Sequence, residues 1–220
     1  MSKILQSIYN VFSEKECKDL INVVEKTGFT KASLFTDVDG KEHYHSDVRN
    51  SMRKIIDDKD FAKLLEKRIY EHIPKIYNGL TYHSINHRFR FLKYEKGGFF
   101  ARHKDNNYKT KDTISLITIL IYLNEDYKGA YTTFFANVDD KEGFTLEPKT
   151  GMISLMDQDI GHCVPELLEG VKYVVRTELQ YVGVGKPRFP LPPHPVKDES
   201  GIGFIQPPHP VGDLKIVKLG

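Results

Sequence analysis

Cysteine is scarce in this chain: only Cys17 and Cys163 occur in 220 residues, and no Asn-x-Ser/Thr acceptor occurs at all. Both absences argue against a disulfide-framed or glycosylated secretory protein. No stretch approaches the ~18 consecutive apolar residues of a membrane span, and residues 1–7 run into an amphipathic segment without the apolar centre of a signal peptide. A surplus of charge is missing too. The formal net charge of +2 offers no strongly basic or acidic face, so neither nucleic acid nor a membrane surface is indicated as a partner. Neither standard glycine-rich phosphate loop is present, which argues against a nucleotide-dependent enzyme. What these absences leave is a cytoplasmic protein, 40% hydrophobic and 28% charged, long enough to bury one full core.

Helical signals come first along the chain. Ser13-Glu14-Lys15-Glu16 is a capping box, and Cys17, Leu20, Ile21 and Val24 then form one apolar stripe that ends near Gly28. A second helix is expected from about residue 59 to 73, with Phe61, Leu64, Leu65 and Ile69 inward and Pro74 as its stop. Beyond it the period becomes that of strands. Phe89-Arg90-Phe91-Leu92-Lys93-Tyr94 is followed by a turn at Glu95-Lys96-Gly97-Gly98 and by a strand through Phe99-Phe100-Ala101-Arg102. Residues 114–123 are apolar on both faces, as in a central strand. Further short strands are expected at 132–135, 143–146, 152–156 and 171–184. The series predicts a mainly β fold, a double-stranded β-helix or jelly roll, with the N-terminal helices packed on one sheet. One structural domain is expected overall, with a support region at 1–84, a core at 85–185 and a proline-rich extension at 186–220.

His103-Lys104-Asp105 lies at the end of one such strand. Alternate residues of a strand leave the same face, so His103 and Asp105 project together. With His162 they would give two neutral imidazoles and one carboxylate on one face of a metal, leaving positions open, an arrangement that suits non-haem Fe(II) oxygenases. Nine histidines and thirty acidic residues make His-x-Asp triplets common by chance. His45-Ser46-Asp47 is a second copy, but it sits in a polar run without apolar alternation and reads as a solvated loop. His162-Cys163 does not read as a nucleophile with its base, because neighbours in a strand face opposite ways; Cys163 is expected in the core.

The stretch from Arg88 to Tyr94, the His103-Lys104-Asp105 triplet, Ile121-Tyr122-Leu123-Asn124-Glu125-Asp126, Gly129-Ala130-Tyr131-Thr132-Thr133-Phe134, Pro148-Lys149-Thr150-Gly151, and His162 through Tyr173 together resemble the prolyl 4-hydroxylase-like branch of the 2-oxoglutarate and Fe(II)-dependent dioxygenases. The likeness covers residues 85 to 182, with a weaker echo in Asp47-Val48-Arg49-Asn50-Ser51. Ala130 departs from it, since relatives usually carry a second glycine there. The resemblance implies that His103, Asp105 and His162 hold Fe(II), that 2-oxoglutarate is the co-substrate, and that ascorbate serves as reductant. It places Lys172, ten positions past His162, on the far carboxylate of 2-oxoglutarate. Lys172 and Arg176 share a strand face, so Arg176 is the fallback anchor. Tyr122 and Tyr94 match positions where relatives use a phenol on the co-substrate, and Thr132 lines the same pocket. Asp105 favours hydroxylation, because halogenating relatives lack this carboxylate.

The reaction implied is hydroxylation by O2 with release of succinate and CO2, first of all on a peptidyl proline. Another protein side chain, a small molecule, a non-catalytic jelly-roll binding module and a cupin-type enzyme without 2-oxoglutarate stay open. Protons are expected to compete with iron for the imidazoles near pH 6 to 6.5, the range of free histidine. The tail repeats Pro-Pro-His-Pro-Val-x-Asp at residues 192–198 and 207–213, which suggests a polyproline arm and tail-mediated self-association rather than metal ligation by His194 or His209.

Overall fold

The computed structural model describes residues 3–36 and 41–183 and the backbone of the strand Leu214–Val217. Two antiparallel sheets face each other, and the two helices cover the outer side of the larger one. This is the mainly β jelly roll expected from the strand series.

The larger sheet runs in the order Leu214–Val217, Leu5–Ile8, Ile153–Asp157, Ile114–Tyr122, Lys172–Val182, Arg88–Tyr94, Met52–Asp57 and Thr30–Lys31, with Leu80–Ile85 also pairing along Lys172–Val182. Strands from before residue 85 and after residue 186 thus belong to the same sheet as the core. Ile114–Tyr122 is central and every residue in it is buried, which explains its predominantly apolar sequence, interrupted only by Ser115 and Thr118 before Tyr122. Its faces nevertheless differ. Ile117, Ile119 and Ile121 pack toward the helices, whereas Leu120 and Tyr122 join the cluster between the sheets. The smaller sheet contains Phe144–Thr145, Thr133–Phe135, Gly161–Val164, Phe99–His103 and Arg49–Asn50.

The first helix, Glu14–Thr27, starts at the capping box: Ser13 accepts from the Glu16 amide and Glu16 accepts from the Ser13 amide at 2.7 Å. Glu16 has a second task. Its other oxygen takes a 2.6 Å bond from Arg68 of the second helix, and Arg68 also donates to the Val11 carbonyl at 3.0 Å. Both partners are nearly inaccessible, so removing either one would leave a buried charge and cost about 3–5 kcal/mol. The second helix, Lys59–Ile69, is shorter than expected and closes with a tight turn over Tyr70–His72. The cause is Pro74, which disfavours helical geometry at the residue before it; Ile73 is extended with φ −76° and ψ 122°. Among the described residues no helix is long and apolar enough to cross a membrane. Both copies of the proline-rich repeat lie outside the described residues.

Candidate metal centre and co-substrate pocket

His103 ends the strand Phe99–His103 and stands directly across from His162 in the neighbouring strand Gly161–Val164. Their ring centroids are 4.2 Å apart. Nδ1 of His103 lies 2.8 Å from the Ala101 carbonyl, and Nδ1 of His162 lies 3.2 Å from the Ile160 carbonyl. A carbonyl only accepts, so each Nδ1 carries the proton and each Nε2 keeps its lone pair for a metal. The same device, a bond to the carbonyl two residues back, sets both tautomers. Donor atoms of His103, Asp105 and His162 all lie within 4.8 Å of one another.

Asp105 has one oxygen committed. Oδ2 accepts from Thr118 Oγ1 at 2.6 Å and from Arg176 Nε at 3.1 Å, which leaves Oδ1 for a metal. Burial opposes ionisation of this carboxyl, but the Arg176 charge, the two imidazoles and the Thr118 bond outweigh it and hold the group well below the usual carboxylate range. Burial also acts on the imidazoles. It pushes His103 down to about 3, with a further push from His162, and it lowers His162 as well. The competition between protons and metal expected near pH 6 to 6.5 is therefore displaced to more acid solution.

Lys172 faces the same inter-sheet space one strand away, opposite Tyr94. It is fully buried. Its Nζ donates to the Ala130 carbonyl at 2.6 Å and to Thr132 Oγ1 at 3.3 Å, and among the described residues it meets no carboxylate. Burial alone pulls the ammonium down to about 7. The rings of Tyr94, Tyr122 and Tyr127 stand 5.5, 5.9 and 6.0 Å from it. Three buried hydroxyls in this pocket, those of Tyr122, Tyr127 and Ser154, make no well-formed hydrogen bond among the described residues, although Thr132 and Ser154 stand near the Tyr122 hydroxyl. A cation and three unpaired donors in one apolar pocket call for an anionic acceptor. The Tyr94 hydroxyl sits instead against Ser51 and the Arg49 charge. Arg176 is occupied elsewhere, on Asp105 and, through Nη1 at 2.9 Å, on Glu178.

Residues 89–177 match the 2OG-Fe(II) oxygenase superfamily. That stretch is a 2OG-Fe(II) oxygenase superfamily domain. Solved structures share its fold. A prolyl hydroxylase of Trichoplax adhaerens, in complex with a peptide fragment of the hypoxia inducible factor oxygen degradation domain, superposes with a TM-score of 0.63 over 80% of this chain and 82% of that one at 13% identity. A prolyl-4-hydroxylase of Pseudomonas putida gives 0.59 over 82% and 94% at 14% identity. The viral collagen prolyl hydroxylase of Paramecium Bursaria Chlorella virus-1, in its 2OG complex, gives 0.58 over 82% and 97% at 18% identity. No curated protein sequence matches the chain significantly.

The dioxygenase family implies Fe(II) and 2-oxoglutarate, and the residues fit both. Two imidazoles with free Nε2 and one carboxylate with a free oxygen suit the metal, while the cation and unpaired hydroxyls suit a dicarboxylate. Ala130, the departure from the family pattern, has φ 51° and follows Gly129 at φ 79°. Left-handed backbone is strained for alanine, and the bend it makes aims its carbonyl at Lys172. Ala130→Gly is expected to stabilise the oxygenase by up to about 1 kcal/mol, read as a melting shift of roughly 2–4 °C.

Sequence reading missed Thr118, Tyr127 and Ser154. Thr118 and Ser154 carried a weak signal, as hydroxyls in largely apolar strands; Tyr127 carried none. Cys163 departs from its expected place. It is only half-buried, because its neighbour His162 takes the inter-sheet face and turns the thiol outward. His45, Ser46 and Asp47 are exposed, away from any cluster of metal-binding donors among the described residues.

Proposed function

We propose that this oxygenase hydroxylates a peptidyl proline, with 2-oxoglutarate as co-substrate and ascorbate as reductant. One observation carries the oxygenase chemistry: the donor atoms of His103, Asp105 and His162 converge beside a buried Lys172 that is ringed by unpaired hydroxyls. Proline as the target is supported by the sequence resemblance and by a fold shared with three prolyl hydroxylases, one of them holding a peptide.

When bound, Fe(II) and 2-oxoglutarate supply the redox chemistry that converts O2 to a hydroxyl group on the substrate with release of succinate and CO2. The chain's residues hold and orient. His103 and His162 present Nε2, Asp105 presents Oδ1, and Thr118 with Arg176 fixes the carboxylate's tilt. Lys172 pairs with the far carboxylate, and Tyr122, Tyr127 and Ser154 donate to it. The apolar cluster between the sheets, with Leu92, Leu120, Met156 and Val174 on the wall of the larger sheet, keeps water from this charge pair and strengthens it.

The test is incubation with Fe(II), 2-oxoglutarate, ascorbate and a panel of proline peptides, following succinate and peptide mass. Substrate-dependent succinate with one oxygen added at proline supports the reading. Succinate release coupled only to substrates without proline moves the target to another side chain or a small molecule.

The affinity for 2-oxoglutarate carries a pH signature. Lys172 is protonated below about pH 7 in the unliganded protein, and a bound carboxylate raises its pKa. Above pH 7 binding must therefore take up a proton, and the dissociation constant is expected to rise by up to about tenfold per pH unit until the complex itself titrates. Calorimetric titrations between pH 6.5 and 9 in buffers of different ionisation enthalpy measure both effects. A flat affinity across that range would mean that Lys172 does not hold the carboxylate.

A further inference from the structure

Several arginines gather beside the metal centre, and one of them, Arg49, serves neither the metal ligands nor the co-substrate pocket. Arg49 stands directly across from Phe100, with its guanidinium 4.5 Å from the centre of that ring. The Phe100 ring in turn stacks on the His103 imidazole at 3.6 Å. Only 8% of Arg49 is exposed. Nε donates to Ser51 Oγ at 2.8 Å and Nη1 lies 3.4 Å from the Ser33 carbonyl, but among the described residues no carboxylate pairs with it. A buried guanidinium without a counter-ion is costly unless an anion joins it.

Four more guanidiniums stand on the larger sheet within electrostatic reach of this group or of one another. Arg53 pairs with Glu42 at 2.7 Å, Arg88 with Asp57 at 2.9 Å, Arg90 and Arg176 share Glu178 at 2.8 and 2.9 Å, and Arg176 also holds Asp105. Five cations thus meet four carboxylates, and the metal claims one of those four. Arg53, Arg90 and Arg176 keep between 16% and 19% of their side-chain surface, so they border solvent rather than a sealed interior. An excess of positive charge at the edge of a site concentrates ligands of negative charge.

We propose that the substrate of this site carries a carboxylate, which docks on Arg49 beside His103 while the carbon to be hydroxylated faces the metal. The proposal rests on the oxygenase reading above. Arg49 is suited to the task because its planar fork binds a carboxylate through two parallel bonds and Phe100 holds the fork flat. The carboxylate belongs either to an acidic residue next to a target proline or to a free acid.

Both sources are separated by binding to protein loaded with Mn(II) and 2-oxoglutarate. The probes are proline peptides with Asp or Glu beside the proline, their Asn or Gln twins, and free L-proline against L-prolinamide. The acidic member of a pair is expected to bind at least about tenfold tighter, with the preference shrinking as salt is raised. In R49Q the preference should fall below about twofold, and R49K, which keeps the charge but loses the fork, should restore part of it. A preference among the peptides alone assigns the carboxylate to a neighbouring residue, and one for L-proline alone assigns it to a free acid. Equal binding within every pair overturns the proposal, as does a preference that survives in R49Q. Absence of binding by every acidic probe, with 2-oxoglutarate titrating normally, also overturns it and leaves the oxygenase reading intact. Failure of 2-oxoglutarate itself to bind removes that reading and this one together.

Discussion

Asp105→Ala is expected to abolish substrate-stimulated succinate release and to weaken Fe(II) binding by at least about 100-fold, since even outer partners of metal ligands contribute 10- to 100-fold. Two losses combine. The metal loses its one anionic donor, and Arg176 loses the carboxylate 3.1 Å from its Nε, leaving two charges of the same sign facing the two imidazoles. Asp105→Asn separates the effects. Its amide oxygen still accepts from Thr118 or Arg176, so the fold should hold while iron affinity falls. Anaerobic titration with Fe(II), beside thermal melting of the apoprotein, measures each part. An alanine variant with full turnover would mean that another carboxylate completes the metal site.

Lys172→Met should act on the co-substrate rather than the metal. Leaving a desolvated carboxylate without its cation costs about 2–5 kcal/mol, so 2-oxoglutarate affinity is expected to fall by roughly 30- to several thousand-fold. The apoprotein should not share that loss, because among the described residues the buried ammonium meets no counter-ion before the ligand arrives and its pKa is already down to about 7. Arg176→Met provides the contrast. Arg176 touches Asp105 and Glu178 but not the Lys172 pocket, so its removal should impair metal binding more than 2-oxoglutarate binding. The opposite pattern, with Arg176 setting 2-oxoglutarate affinity and Lys172 without effect, would exchange their roles.

The fold was legible in the chain because its period changes sharply, from the stripe of Cys17, Leu20 and Val24 to the strand alternation after residue 88. His103 and Asp105 do converge as strand spacing suggested, although the strand ends at His103 and Asp105 lies in the irregular segment beyond it; the cross-strand pairing of His103 with His162 completes the cluster. Less local features escaped. Whether Lys172 or Arg176 reached the pocket depended on which carboxylates lay near each: Glu178 stands two positions further along the same strand as Arg176, but Asp105 meets it only through packing between separate segments. The orphan hydroxyl of Tyr127 comes from a loop whose path no periodicity describes. Arg49 was visible only as part of a short polar echo, because its burial arises from Phe100 on a neighbouring strand. The end of the second helix moved by one turn, since a proline acts on the residue before it and the preceding turn tightens to comply.

The most direct measurement is anomalous diffraction at the iron edge from crystals grown anaerobically with Fe(II) and 2-oxoglutarate. The prediction is one iron per chain, bonded to Nε2 of His103, Nε2 of His162 and Oδ1 of Asp105, with the far carboxylate of 2-oxoglutarate on Lys172 Nζ. Iron at another position, or 2-oxoglutarate held away from Lys172, would contradict it.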